Sequence, residues 1–404
     1  MSFDSDLLKQ SFAIVERRAE QASRFFYAHL FAAHPGIRSM FPERMDEQRD
    51  RLLLALGHAA AHAHDTDALV AYLRQLGFDH RKFGARPEHY PAVGMSLIAT
   101  LKTFSGDQWS EEIQDTWLAA YSVISTVMID AAAEADAKEL PDYWDADVVR
   151  HEPRTADVAV LTLRPRMPYP YRSGQYLSLT TSQAPQVWRP YSIANAPRLD
   201  NTLELHVRRV RDGALSPALV DLVQVGDVVR LGPPMGTLGV PATPGGGLLC
   251  VAGGTGWAQI KALIEDLALQ LEPPPVQLLV GARTERDLYD WDDLTALADK
   301  HHWLDVGVAL APRAGGSQDG HERLLREVAA CAVAAGVQHV QVFVAGPGPM
   351  VAAVRTALRQ TGVPAEAVHN DPFAGSYGAK RPSGSADWFL RRREIAWISP
   401  HNQP

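Results

Sequence analysis

The sequence predicts a multidomain fold in three parts: an all-α segment, an antiparallel β-barrel, and an α/β unit built on a parallel sheet. Three observations predict it. The chain has 404 residues, more than one core usually serves when a domain takes about 150 residues. Near residue 141 the apolar residues change from three- and four-residue spacing to alternation, the step from helical to strand periodicity. From residue 248 onward, short apolar runs alternate with helical segments, the mark of parallel strands buried on both faces. The expected divisions are 1–140, 143–243 and 244–378, with a tail over 379–404.

Each part follows from its own pattern. From Leu7 to about Ala137 the helical spacing is interrupted at Pro35-Gly36, Pro42, Asp65, Pro87, Pro91 and Gly106, residues that stop helices. After Pro141-Asp142, Leu203, Leu205 and Val207 alternate with Glu204, His206 and Arg208, and Gly and Pro become frequent, as in a small antiparallel barrel. In the last part Leu248-Leu249-Cys250-Val251-Ala252, Val276-Gln277-Leu278-Leu279-Val280 and Val340-Gln341-Val342-Phe343-Val344 read as buried strands. Residues 374–385 are rich in Gly and Ser, a composition that frees a tail from the preceding domain.

Composition excludes several functions. A net charge of -8 with 21% charged residues and no basic block lacks the concentrated positive face that nucleic acid requires. The start, Met1-Ser2-Phe3-Asp4-Ser5-Asp6, is acidic where a signal peptide is basic, and no run reaches the roughly 18 uninterrupted apolar residues of a membrane span. A cytoplasmic protein acting on small molecules is expected. Cys250 and Cys331 are the only cysteines, too few for a four-thiolate iron–sulfur cluster or a disulfide scaffold.

The most informative run is His80-x-x-Phe83-x-x-x-Pro87-Glu88-x-Tyr90. A histidine near the end of an amphipathic helix can place a neutral imidazole nitrogen on haem iron, while groups further along tune its other nitrogen. That reading points to a globin with His80 as the metal ligand. A facing helix must then serve a bound diatomic molecule, and Tyr27, Phe41, Gln48 and Leu52 have the chemistry for it. Tyr27 and Gln48 supply polar donors, and Leu52, one helical turn after Gln48, keeps the pocket tight.

Two further motifs suit a flavin and a nicotinamide dinucleotide. Arg189-Pro190-Tyr191-Ser192, following Tyr171-Arg172-Ser173-Gly174-Gln175-Tyr176, combines an arginine for a diphosphate, an aromatic for the flavin ring and a hydroxyl for its polar edge. Gly253-Gly254-Thr255-Gly256 follows a buried strand and opens a helix from Trp257 to about Gln270, so backbone amides and the helix start can receive a pyrophosphate. His58, His62 and His64 have a metal-like spacing, but no carboxylate or cysteine completes it, and an exposed helix face explains them.

These motifs resemble known families. The order of Phe25-Phe26-Tyr27, Phe41-Pro42, Gln48-Arg49 and the His80–Tyr90 run resembles the globin domain of bacterial flavohaemoglobins. The resemblance implies that Tyr27 and Gln48 are distal, His80 proximal, and Tyr90 the tyrosine of a tyrosine–glutamate relay behind the histidine. Reading forward from Trp117-x-x-x-Tyr121, the relay glutamate's place falls at Ala132, with Glu134 two residues beyond. Many members carry lysine just before the histidine, where this chain has Asp79, and an anion there shifts a haem potential. Arg189–Ser192 resembles the Arg-x-Tyr-Ser motif of the ferredoxin reductase superfamily, and Gly213 and Ser216 match its second phosphate turn. Ala345-Gly346-Pro347 falls where the superfamily often has cysteine before the glycine; Gly346 and Pro347 are expected beside the nicotinamide. Phe373 looks like the C-terminal aromatic that covers the flavin. Arg283 suits a 2′-phosphate, yet its Gly-Ala-Arg-Thr run equally suits NADH, so NADH and NADPH both stay open.

The resemblance covers almost everything to about Tyr377; the segment from Asp387 through Arg391-Arg392-Arg393 to Trp397 lies beyond it, and is expected to pack on the reductase or else to dock a partner. What the resemblance implies is a nitric oxide dioxygenase using haem b, FAD and NADH or NADPH, turning dioxygen and nitric oxide into nitrate without a separate redox partner protein. Two alternatives stand beside it: a haem dioxygen or redox sensor whose reductase resets the iron, and a reductase for another acceptor.

Overall fold

In the computed structural model the described residues are 4–43, 45–240, 247–310, 318–370 and 396–398. They form two compact units, Met1–Tyr143 and Trp144–Pro404.

The first unit is helical: α1 (Ser5–Glu16), α2 (Ala19–Ala33), α3 (Asp46–Ala61), α4 (Thr66–His80), α5 (Tyr90–Ser105) and α6 (Glu111–Ala137), with short 3-10 turns between them. Side-chain caps set several starts. Asp4 accepts from the Asp6 and Leu7 amides at 2.9 Å, Asp65 from Ala68 at 3.1 Å and Ser110 from Ile113 at 3.2 Å, satisfying amides that a helix leaves orphaned. The core is apolar, with Leu8, Phe26, Leu30, Leu101 and Trp117 buried, and the Trp117 indole donates to Ser11 Oγ at 3.0 Å. Helices α4 and α6 approach so closely that a Cβ on Gly77 would lie 2.4 Å from the Met128 carbonyl oxygen, a place only glycine fits. Among the described residues α6 is the one helix long and apolar enough to cross a membrane, yet it carries Trp117, Ala120 and Met128 into this core.

The second unit begins with β1 (Trp144–Pro153), β2 (Val158–Pro165), β3 (Tyr176–Thr181), β4 (Arg189–Ser192), β5 (Leu203–Arg208), the short α7 (Ser216–Asp221) and β6 (Val228–Leu231). The strands pair antiparallel in the order β4-β3-β6-β1-β2-β5, and an Ile193–Leu205 bridge joins the two edges into a nearly closed barrel. Leu203, Leu205 and Val207 fill its interior, as alternation requires. Then come β7 (Leu248–Gly253), α8 (Trp257–Leu267), β8 (Val276–Ala282), α9 (Trp291–Lys300), β9 (Leu304–Leu310), α10 (Gln318–Ala334), β10 (Gln341–Ala345), α11 (Gly348–Gln360), β11 (Val368–His369) and β12 (Ala396–Ile398). Their sheet runs β11-β10-β7-β8-β9-β12, parallel except for β12, which lies antiparallel along β9. Of the tail, residues 396–398 thus lie along this sheet.

One polar position departs from the alternation. His206, on the outer face of β5, is buried: one ring nitrogen meets the Tyr289 hydroxyl at 2.7 Å and Nε2 has no hydrogen-bond partner. Burial, with the Lys261 charge, pushes its pKa down to about 3. Protonation therefore favours the unfolded chain, so the stability His206 contributes is complete above the ordinary histidine range and is lost as pH falls toward the folded value. Lowering pH from about 7 to about 5 should depress the melting temperature of this unit less in His206→Gln than in the wild type, measured by calorimetry on the full chain; equal depression would remove His206 as the acid-sensitive group.

Candidate functional site

His80 is the last residue of α4. Its Nδ1 lies 2.7 Å from the Leu76 carbonyl oxygen, which can only accept, so Nδ1 carries the proton. Nε2 makes no hydrogen bond among the described residues. Burial holds the ring's pKa below the ordinary histidine range, against the Asp79 charge. A neutral imidazole with its second nitrogen uncommitted is the ligand form haem iron takes, so the donor chemistry at His80 fits that group.

Arg81, adjacent to His80, was not singled out from sequence. Its guanidinium is 6% exposed and binds Asp136 at 2.8 Å, Asp142 at 3.0 Å and the Leu140 carbonyl at 2.7 Å, tying the end of α4 to the end of α6. Asp79 is not an uncompensated anion, because it pairs with Lys82, whose side chain is 2% exposed. The local charge change expected from Asp79 is therefore largely cancelled.

Among the described residues no carboxylate hydrogen-bonds His80. Ala132 offers none, and Glu134 is held by both terminal nitrogens of Arg74. Tyr90 is half-buried, its carbonyl accepting from the Tyr121 hydroxyl at 2.6 Å, while His80 Nδ1 is spent on Leu76. Glu134 is thus engaged with Arg74 rather than with His80.

On α2, Tyr27 is buried and its hydroxyl donates to the Gln48 carbonyl at 3.2 Å. Its ring meets Phe41 edge-on with centroids 5.6 Å apart, and Leu52 packs on the same core. Burial pushes the phenol up to about 12, against the Gln48 side chain and the Arg51 and Arg49 charges. It stays protonated near neutrality and can donate. Tyr27, Phe41, Gln48 and Leu52 thus gather at one place. The His58 and His62 rings lie tilted with centroids 4.1 Å apart, and no metal-holding group of three occurs among the described residues.

In the barrel, Arg189-Pro190-Tyr191-Ser192 is β4, with Ser192 opposite Tyr176 and Tyr191 opposite Leu177. Burial raises the Tyr191 pKa, so this ring too stays neutral. The turn before α7 is built by Ser216, whose Oγ accepts from the Val210 amide at 3.0 Å; Gly213 sits so close that a Cβ would be 3.1 Å from that oxygen. Arginine, hydroxyl and turn amides are the donors a flavin diphosphate needs, so this set fits FAD.

Gly253-Gly254-Thr255-Gly256 connects β7 to α8, and Ala345-Gly346-Pro347 leaves β10, its neighbour in the sheet. A Cβ on Gly256 would fall 2.3 Å from the Ala345 carbonyl, so glycine lets the two loops close together. They flank the crevice outside the carboxyl ends of parallel strands, where such sheets bind ligands. Arg208 of β5, not foreseen as a site residue, places its guanidinium nitrogen 3.7 Å from where a Cβ of Gly254 would be and adds positive charge to a loop fit for a pyrophosphate. Arg283 at the end of β8 pairs with Asp287 at 3.3 Å. Phe373 lies outside the described residues.

Comparison with known proteins gives three consecutive family matches: globin over residues 24–128, oxidoreductase FAD-binding domain over 145–239 and oxidoreductase NAD-binding domain over 250–356. The flavohemoprotein of Bordetella pertussis is 25% identical, over 91% of this chain and 96% of its own length. The chain belongs to the flavohaemoglobin family. A flavohemoglobin structure from Malassezia yamatoensis superposes with a TM-score of 0.74 at 16% identity, over 91% of this chain and 97% of that one, a likeness of fold. The reductase part alone is 31% identical to the ferredoxin–NAD(P)(+) reductase CarAd of Metapseudomonas resinovorans, over 57% of this chain and 68% of that protein.

Because Glu134 is committed to Arg74 at the surface, Glu134→Gln should leave the ferrous haem spectrum and the carbon monoxide recombination rate of the full-length protein unchanged within about twofold. A displaced Soret band would return Glu134 to the proximal side.

Proposed function

We propose that this protein is a nitric oxide dioxygenase, consuming nitric oxide and dioxygen to form nitrate at the expense of NADH or NADPH. Haem, when bound, supplies the one-electron iron chemistry, and FAD accepts a hydride and releases electrons singly. The rest is work for the chain. His80 would hold the iron through Nε2, its Nδ1 proton kept on Leu76. Tyr27, buried and protonated, would turn its one hydroxyl proton from the Gln48 backbone carbonyl toward an anionic ligand atom, an electrostatic aid, with the Gln48 side chain beside it. Phe41 and Leu52 would exclude water. Arg189, Tyr191 and Ser192, with the Gly213–Ser216 turn, would seat the flavin; the Gly253–Gly256 and Gly346-Pro347 loops would seat the dinucleotide. The division into globin 1–140, FAD domain 143–243 and NAD(P) domain 244–378 belongs to the same reading, as does a cytoplasmic location, supported by two cysteines that are both free and buried.

The observation that carries this function is the pairing, in one helical unit, of a neutral histidine with an uncommitted Nε2 and a buried protonated phenol hydrogen-bonded to Gln48, fused to a flavin reductase. The nicotinamide dinucleotide, flavin and haem are all provided for in one chain, so no partner protein is required.

With NADH, dioxygen and nitric oxide supplied together, the full-length protein should form nitrate stoichiometrically with nitric oxide consumed. His80→Ala should lose that turnover while still oxidising NADH with an artificial acceptor. Tyr27→Phe should release dioxygen about tenfold faster, the loss of one hydrogen bond of about 1.4 kcal/mol. Undiminished nitrate formation by His80→Ala would refute the assignment.

A further inference from the structure

Hydride transfer between a dinucleotide on one domain and a flavin on another depends on how the two domains are held, since a misplacement of about 1 Å can cost a hundredfold in rate. The barrel and the parallel-sheet domain belong to one compact unit, and polar side chains bridge them. Lys261 of α8 reaches Glu204 of β5 at 3.3 Å, Gln259 donates to the Gly174 carbonyl at 3.0 Å, and His206 meets Tyr289. Asp290, just before α9, does something the others do not. Its Oδ2 accepts from the Trp257 indole at 2.7 Å, and its Oδ1 faces the Arg154 guanidinium, from the end of the barrel's β1, at 3.6 Å. Trp257 is the first residue of α8, directly after Gly256, and is 3% exposed. One buried carboxylate therefore joins the flavin barrel to the residue that ends the dinucleotide loop.

We propose that Asp290 is a positioning residue for hydride transfer: held from the barrel by Arg154, it fixes Trp257 and with it the Gly253–Gly256 loop in register with the flavin site. This rests on the reductase reading above. It also explains why a tryptophan with a buried indole N–H starts α8, since such a donor must find an acceptor.

The carboxylate is costly to keep ionised. Burial raises the Asp290 pKa, with the Asp293 charge adding to it, while Trp257, Arg154 and Lys261 oppose the rise. Glu152 of β1 stands 3.9 Å from Arg154, and Asp293 competes for the same guanidinium at 3.1 Å; Tyr289 and His206 close the other side as neutral groups. When Asp290 takes up a proton it can still accept from Trp257 but no longer attracts Arg154, so the barrel side of the link loosens as pH falls.

The test uses the full-length protein loaded with haem and FAD. Flavin bleaching by NADH is followed anaerobically by rapid mixing, and deuterium exchange of the amides over residues 253–260 is measured without NADH. Asp290→Ala should lower the limiting bleaching rate by between about ten- and a hundredfold at unchanged FAD content, and should speed exchange in the loop. Asp290→Asn, which still accepts from Trp257, should keep the loop protected, and its rate should lack the wild-type decline toward acid pH. Adding Trp257→Phe to Asp290→Ala should slow bleaching no further, because both remove one link. Bleaching by Asp290→Ala within twofold of wild type, unchanged loop exchange, or multiplying effects in the double variant would overturn the proposal. Should Asp290→Ala fail to fold, wild-type rates and exchange in both Asp290→Asn and Trp257→Phe would overturn it instead. A wild-type protein that NADH does not bleach would overturn the reductase reading, not this inference alone.

Discussion

A neutral imidazole, held with its proton on a backbone carbonyl, is what the helical half of this protein depends on. A protonated His80 could not bind iron, and a ring free to rotate would bind it weakly. Burial removes the first difficulty and the Leu76 carbonyl the second. Arg81 secures the arrangement from outside by tying the residue after His80 to the end of α6. The tyrosine across the unit is governed by the same physics with the opposite proton outcome: burial keeps Tyr27 a donor, as it keeps His80 neutral. With a carbonyl rather than a carboxylate behind it, His80 as an iron ligand would act as a plain imidazole and push less electron density onto iron than a carboxylate-backed ligand. On the proposed function, more of the burden of activating dioxygen would then fall on Tyr27 and Gln48.

The reductase half is governed by a different constraint, the placing of two cofactor seats on two sheets. The barrel offers β4 and the turn before α7; the parallel sheet offers two glycine loops at the carboxyl ends of neighbouring strands. Polar side chains bridge the two beside apolar packing. Lys261, Glu204 and Glu265 form one cluster with the more exposed Arg198, and buried Asp290 forms another with Arg154 and the exposed Asp293. Such networks add little net stability compared with apolar packing, but their directional bonds set one register between the domains, which apolar surfaces do not.

Much of this was legible in the sequence, for reasons that differ from place to place. Periodicity marked the three segments because each buries a different kind of face, and the glycine and Arg-x-Tyr-Ser motifs are local, so they survive without knowledge of the fold. Side chains whose partners are distant in sequence were not legible. Glu134 has the right chemistry near the right position, but Arg74, 60 residues earlier, captures it. Lys82 carries no motif and is buried against Asp79. His206 falls on the polar face of an alternating strand, and alternation cannot tell that Tyr289 covers that face. Arg81, Arg208 and Asp290 escaped notice for the same reason: an ordinary charged residue becomes informative only once its neighbours are known.

On the proposed function, electron transfer runs through this one chain from a nicotinamide to a haem. Its most direct test is the visible spectrum of the purified protein, free of oxygen, recorded before and after NADH at the flavin and Soret bands. Flavin bleaching followed by a ferric-to-ferrous shift of the Soret band is expected without any added protein. Bleaching with an unmoved Soret band would contradict it and make the protein a reductase for some other acceptor.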